Sequence, residues 1–160
     1  MSKFLVLLVT WALFGCVNMV DEGQLLNQAR EIHKNVLTLD THIDIDVKNF
    51  TKSKNLGMDL DRQVTLAKMK SGGLDSGFFI VYVDQKERTK KGYRTAYKAA
   101  LAKFNAIHRM TKKLNPKQIA LATSPEEVEE IWRSGKLVAM IGVENAYPLG
   151  TDLKRVKEFY

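Results

Sequence analysis

Two stretches constrain this chain more than any others. Gly77-Phe78-Phe79-Ile80-Val81-Tyr82-Val83 and Leu137-Val138-Ala139-Met140-Ile141-Gly142-Val143 are apolar at nearly every position. A strand with one face in water alternates polar and apolar residues. One that does not alternate is covered on both faces, as happens where helices cross over a parallel sheet. The segments around them read as those helices. Asp59 to Ser71 carries Leu60, Val64, Ala67 and Met69 at helical spacing and ends at Gly72-Gly73. Tyr93 to Leu114 repeats Tyr93, Tyr97, Ala100, Phe104, Ile107 and Leu114 at steps of three and four, a long core-facing helix. Ile119 to Thr123 is a brief strand or extended link. Ser124-Pro125-Glu126-Glu127 then supplies a capping serine, a proline at the first helical position and a glutamate three residues on, with Gly135 as a left-handed stop. Asn145 to Gly150 is a turn, and Thr151 to Tyr160 begins another helix through Leu153, Val156 and Phe159. Strands alternating with helices predict an α/β fold with a parallel sheet. At 160 residues and 45% hydrophobic content, the chain can bury one core.

A third strand has an unusual face. In the stretch Asn35 to Asp46, a period of two puts Thr38, Asp40, His42, Asp44 and Asp46 on one side, and Leu37, Leu39, Thr41, Ile43 and Ile45 on the other. Three neighbouring aspartates repel one another unless a cation or solvent intervenes. His42 and Asp44, two residues apart on a strand, point an imidazole nitrogen and a carboxylate oxygen the same way. From the residues alone, the face is a metal-ligand pair or a solvated edge. Glu144, directly after the second apolar run, is open in the same way: it caps the next helix or faces solvent, or it is a carboxylate placed for chemistry at a strand's C-terminal end. His33 and His108 read as a solvated and a packed histidine. Asn49-Phe50-Thr51 matches a glycosylation sequon that is expected to be incidental.

The N-terminus reads as an address. Lys3 precedes the apolar run Phe4 to Phe14, too short to span a bilayer comfortably and typical of a secretory signal. Leu13-Phe14-Gly15-Cys16 resembles a lipoprotein cleavage box, with residues 1–15 removed and Cys16 lipidated as the new N-terminus; plain cleavage and an uncleaved anchor are the alternatives. Residues 16–35 form a linker and a leading helix through Leu25, Leu26, Ala29 and Ile32. The expected location is therefore the periplasm or outer membrane of a bacterium. Cys16 is the only cysteine, so there is neither a disulfide framework nor a thiolate metal site. The net charge of +7 is spread with acids between the lysines, and no aromatic-studded basic stripe marks a nucleic-acid partner.

Three motifs in order carry a family resemblance. Asp40-Thr41-His42-Ile43-Asp44, the segment Leu66 to Phe79 with Gly72-Gly73-Leu74-Asp75-Ser76-Gly77 at its centre, and Val138-Ala139-Met140-Ile141-Gly142-Val143-Glu144-Asn145 resemble the opening part of the membrane dipeptidase (renal dipeptidase, peptidase M19) family. The resemblance covers residues 36–160. It implies a (β/α)₈ TIM-type barrel of the metal-dependent hydrolase class, of which this chain is about the first three β/α units. It further implies that His42 and Asp44 bind a first zinc and that Glu144 bridges it to a second. The implied reaction is zinc-dependent hydrolysis of dipeptides, including those with a C-terminal D residue, and the implied full-length form is a homodimer. Where better-known animal members have Glu-Gly-Gly-His, this chain has Glu144-Asn145-Ala146-Tyr147, and no histidine follows His108. The second-zinc histidines of the family thus have no match here, and the chain alone is expected to be inactive. The alternatives are a metal-dependent hydrolase of another amide or lactam, and a non-catalytic surface lipoprotein.

Overall fold

The computed structural model describes residues 21–160. The secretory run and Cys16 lie outside the described residues. Among the described residues, no helix is long and apolar enough to cross a membrane. The chain divides into two compact units, one ending at Asn35 and the other Val36–Tyr160. The described part of the first is helix α1 (Glu22–Asn35), which buries none of its residues and carries a Lys34–Glu31 ion pair of 2.7 Å.

The second unit is built on a sheet of four parallel strands: β1 (Leu39–Asp44), β2 (Ser76–Tyr82), β3 (Ile119–Leu121) and β4 (Leu137–Glu144), in the order β1-β2-β4-β3. The two apolar runs are the adjacent inner strands, paired from Ser76↔Val138 to Tyr82↔Glu144. The Ile119 link does become a strand. Its three residues pair only with Leu137–Ala139, so most of β4's outer edge is left unpaired by it. Helices α2 (Leu66–Gly72), α3 (Lys90–Arg109), α4 (Pro125–Arg133) and α5 (Lys154–Phe159) follow or separate the strands.

Ile43, Phe79, Val81, Leu137 and Ala139 of the sheet pack against Ala100, Ile107 and Met110 of the α3 segment and Leu66 and Met69 of α2. Gly77 leaves room for Ile43, since a Cβ there would lie 2.3 Å from Ile43 Cδ1 and the isoleucine would have to turn aside.

Helix boundaries follow side-chain caps. Thr89 Oγ1 accepts from Gly92 N at 3.1 Å to start α3, which widens at its end into a π-helical turn over Met110–Leu114. Ser124 caps α4 with Pro125 at its first position, and Gly135 turns at φ 79°. Two expected helices are shorter than their periodicity. The helix expected from Asp59 starts at Leu66, because Thr65 is extended and its hydroxyl accepts from Lys68 N at 3.2 Å. Leu60 and Val64 still pack on the core, but from irregular chain, with Leu66 N bonded to Leu56 O. The helix expected from Thr151 starts at Lys154, behind a 3₁₀ turn at Tyr147–Leu149 and a Gly150 of positive φ.

Candidate metal centre

The alternation read for β1 is broken by a bulge. Asp40 is in register with Gly77 and Ile43 with Phe79, so three steps on β1 match two on β2. The parity of side chains therefore changes within the strand. Leu39 pairs with Ser76 and Asp44 with Ile80, both even-numbered positions of a regular β2, so Leu39 shares the face of Asp44. Asp40 moves to the face of Ile43. A continuous acidic face over Asp40–Asp46 is thus not what forms. Asp40 instead works within the bulge, its Oδ1 accepting from His42 N at 2.8 Å.

Past the bulge, His42 and Asp44 project at the C-terminal end of the sheet. Glu144 closes β4 at the same end, with β2 between them. His42 Nε2 is 3.2 Å from Glu144 Oε2 and 3.8 Å from Asp44 Oδ1. One ligand atom from each of the three residues lies within 4.8 Å of the other two. Ligands bound tetrahedrally at about 2.1 Å stand roughly 3.4 Å apart, so the His42–Glu144 separation matches that spacing while the full spread is wider and would have to contract around an ion. A donor set of one imidazole and two carboxylates, without thiolate, suits zinc and other divalent first-row ions. All three side chains are solvent-exposed, as the mouth of a site requires. The sequence-predicted residues are therefore brought together, and among the described residues neither His33 nor His108 joins them. His108 borders a different cavity, its imidazole biased toward the neutral form by burial and by Lys112.

A polar cleft of about 440 Å³ adjoins the cluster on the β1 side, lined by Asp40, Asp46, Asn49 and Arg62 along with His42 and Asp44. Asn49 is 5% exposed, so the sequon asparagine is not presented on the surface. Two further residues shape the site: Asn145, which the sequence marks only as a departure from the family pattern, and Tyr82, which sequence reasoning did not single out. Asn145, directly after Glu144, has φ 64°. Its Nδ2 donates to Val83 O at 3.2 Å and its Oδ1 accepts from Tyr147 N at 3.0 Å, which ties the end of β4 to the end of β2. Asparagine tolerates left-handed backbone better than most residues, and glycine tolerates it best, so the Gly-to-Asn difference from the animal pattern was a usable signal. Tyr82, in register with Glu144, stands on the same face beside it. A hydrogen bond to Asp84, then repulsion from that carboxylate and more weakly from Glu144 and Asp44, holds the Tyr82 phenol above its ordinary range.

Comparison with known proteins decides the family. The model of "Membrane dipeptidase (Peptidase family M19)" matches residues 26–160. This chain belongs to the membrane dipeptidase family, M19. Curated members of similar sequence include human dipeptidase 3, 28% identical over 131 residues, and dipeptidase ataJ of Aspergillus terreus, 26% identical over 91 residues. These alignments cover 82% and 54% of the chain, and the chain spans about a fifth of each relative, 22%. The crystal structure of the probable dipeptidase PvdM from Pseudomonas aeruginosa superposes with a TM-score of 0.77 at 22% identity, covering 86% of this chain and 35% of that one. Dipeptidase AC, a metallopeptidase of family M19, superposes at 0.62 and 20% identity, covering 78% and 39%. The fold is accordingly that of the family's TIM-type barrel, with this parallel sheet matching its minor part. M19 membership gives the His42–Asp44–Glu144 cluster its context, a metallopeptidase family in which a metal cofactor is expected.

Proposed function

We propose that this chain carries part of the zinc centre of an M19 dipeptidase, with His42 Nε2, Asp44 and Glu144 as ligands and Glu144 as the bridge to a second zinc. The observation that carries the proposal is the convergence of three donor atoms from strands β1 and β4 to within 4.8 Å. Zinc held there would lower the pKa of a bound water toward neutrality and polarise a peptide carbonyl, the chemistry that hydrolysis of a dipeptide needs. The protein's own part is positional. The Asp40 carboxylate fixes the bulge that turns His42 toward the site, and Asn145 fixes the backbone that delivers Glu144. The adjoining polar cleft gives a dipeptide's charged ends somewhere to lie, bordered by Asp46 and Arg62. Dipeptides with a C-terminal D residue are among the proposed substrates, and a homodimer is the proposed full-length assembly. Export, with Cys16 lipidated, belongs to the same proposal and rests on Lys3 to Cys16 of the sequence.

The test is metal content by mass spectrometry of purified protein, beside His42→Ala and Glu144→Gln. The wild type should retain zinc and both variants should lose at least tenfold in affinity. Zinc retained equally by all three would overturn the ligand assignment. A wild type that binds none would favour the non-catalytic lipoprotein.

A further inference from the structure

Helix α3 turns a stripe of Ala96, Ala100 and Ile107 into the core, continued by Met110 of the π-helical turn, and Lys103 falls on that same stripe, three residues after Ala100 and four before Ile107. A lysine at such a position is costly unless its stem packs and its ammonium reaches something useful. Lys103 is half-buried and, among the described residues, forms no ion pair within 4 Å, yet its Nζ stands 6.0 Å from the centre of the Tyr82 ring. Tyr82 is the register partner of Glu144. The ammonium therefore approaches the acidic end of the sheet. Burial pulls its pKa down, and the negative charges of Asp44, Asp46, Asp84 and Glu144 act against that shift, as expected of an ammonium that lies toward this end of the sheet without pairing with any of them. Asp84 has Lys86 at 3.8 Å, whereas among the described residues Asp44, Asp46 and Glu144 have no lysine or arginine, Lys103 included, within salt-bridge distance.

We infer that Lys103 is a positioning residue for the metal centre, a resident cation that offsets repulsion among Asp44, Asp46 and Glu144 when no metal is bound and that opposes the metal electrostatically once it binds. The inference rests on the proposed metal centre. Its sign is fixed by linkage: a positive charge stabilises the metal-free carboxylates and repels a divalent ion, so both effects favour the metal-free state and both weaken affinity.

The experiment is a zinc titration against a competing chelator on the folded protein, comparing wild type, Lys103→Met and Lys103→Arg. Methionine keeps an apolar stem and removes the charge, while arginine keeps the charge. Lys103→Met should bind zinc roughly three- to tenfold more tightly, the scale of one charge acting on a divalent ion across a partly solvated site, and Lys103→Arg should return to the wild-type value. A Lys103→Met constant within twofold of wild type, or an arginine variant that follows methionine, overturns the inference and leaves the metal centre standing. A wild type that binds no zinc removes the metal centre and the inference together. If Lys103→Met does not fold by circular dichroism, Lys103→Gln takes its place with the same expectations.

Discussion

Asn145 shows how much one residue next to a proposed ligand can carry. Its left-handed backbone and its two side-chain hydrogen bonds set the direction in which the chain leaves Glu144. Asn145→Gly keeps the backbone and loses the bonds, so it should cost about 1–2 kcal/mol in chemical denaturation. Asn145→Val adds the strain of a β-branched residue at positive φ, and its loss should exceed the glycine variant's by about 1–2 kcal/mol. Equal losses would mean that the backbone there relaxes freely. At this scale the sequence was readable where chemistry is local. His42, Asp44 and Glu144 stood out as polar groups set against apolar strands, and the structure brings them together. Asp40 looked equivalent to them because a period of two was assumed throughout. A bulge is set by pairing with β2, which no local pattern records.

Elements were legible in proportion to how far local chemistry decides them. α4 has its serine cap, its proline and its glycine stop in sequence, and it forms between them. The helix expected from Asp59 had periodicity and aspartates able to cap it early, yet the Thr65 hydroxyl is the cap that forms and decides where it begins. β3 was ambiguous because three residues are too few to show a period, and pairing with β4 makes it a strand. The start of α4 also carries a pH dependence. Glu127 accepts hydrogen bonds from Thr123 N at 2.7 Å and Thr123 Oγ1 at 2.8 Å, and these hold its carboxyl below the ordinary value. A depressed carboxyl stabilises the fold above its unfolded-state pKa, and that contribution fades as pH falls through the lower folded value. Glu127→Gln should therefore be less stable than wild type at neutral pH and converge on it at acid pH. Thermal melts at pH 7 and pH 3 would show this, and a difference that persists at pH 3 would refute it.

Across the whole second unit, the barrel family could be recognised from three short motifs, whereas the strand order could not, because β3 enters the sheet beyond β4. The order bears on the metal centre directly. His42 and Asp44 come from an outer strand, Glu144 from an inner one, and β2 lies between them with its own pairings to both. Zinc would therefore fasten β1 to β4 across a strand that contributes no ligand. Saturating zinc should raise the melting temperature by several degrees, and Glu144→Gln should abolish that shift. Differential scanning calorimetry with and without a chelator checks this.

The same arrangement has a consequence in time. Glu144 is made about a hundred residues after His42, so on a ribosome the first two of the proposed ligands emerge long before the third. A nascent chain ending before β4 would offer a metal only His42 and Asp44, a weak pair that exchanges freely. On the proposed ligand set, capture would have to wait until β2 is docked and β4 has paired beside it, which would make metal uptake a late event with a high loop-closure cost. The metal would thus reward a finished sheet rather than guide its assembly.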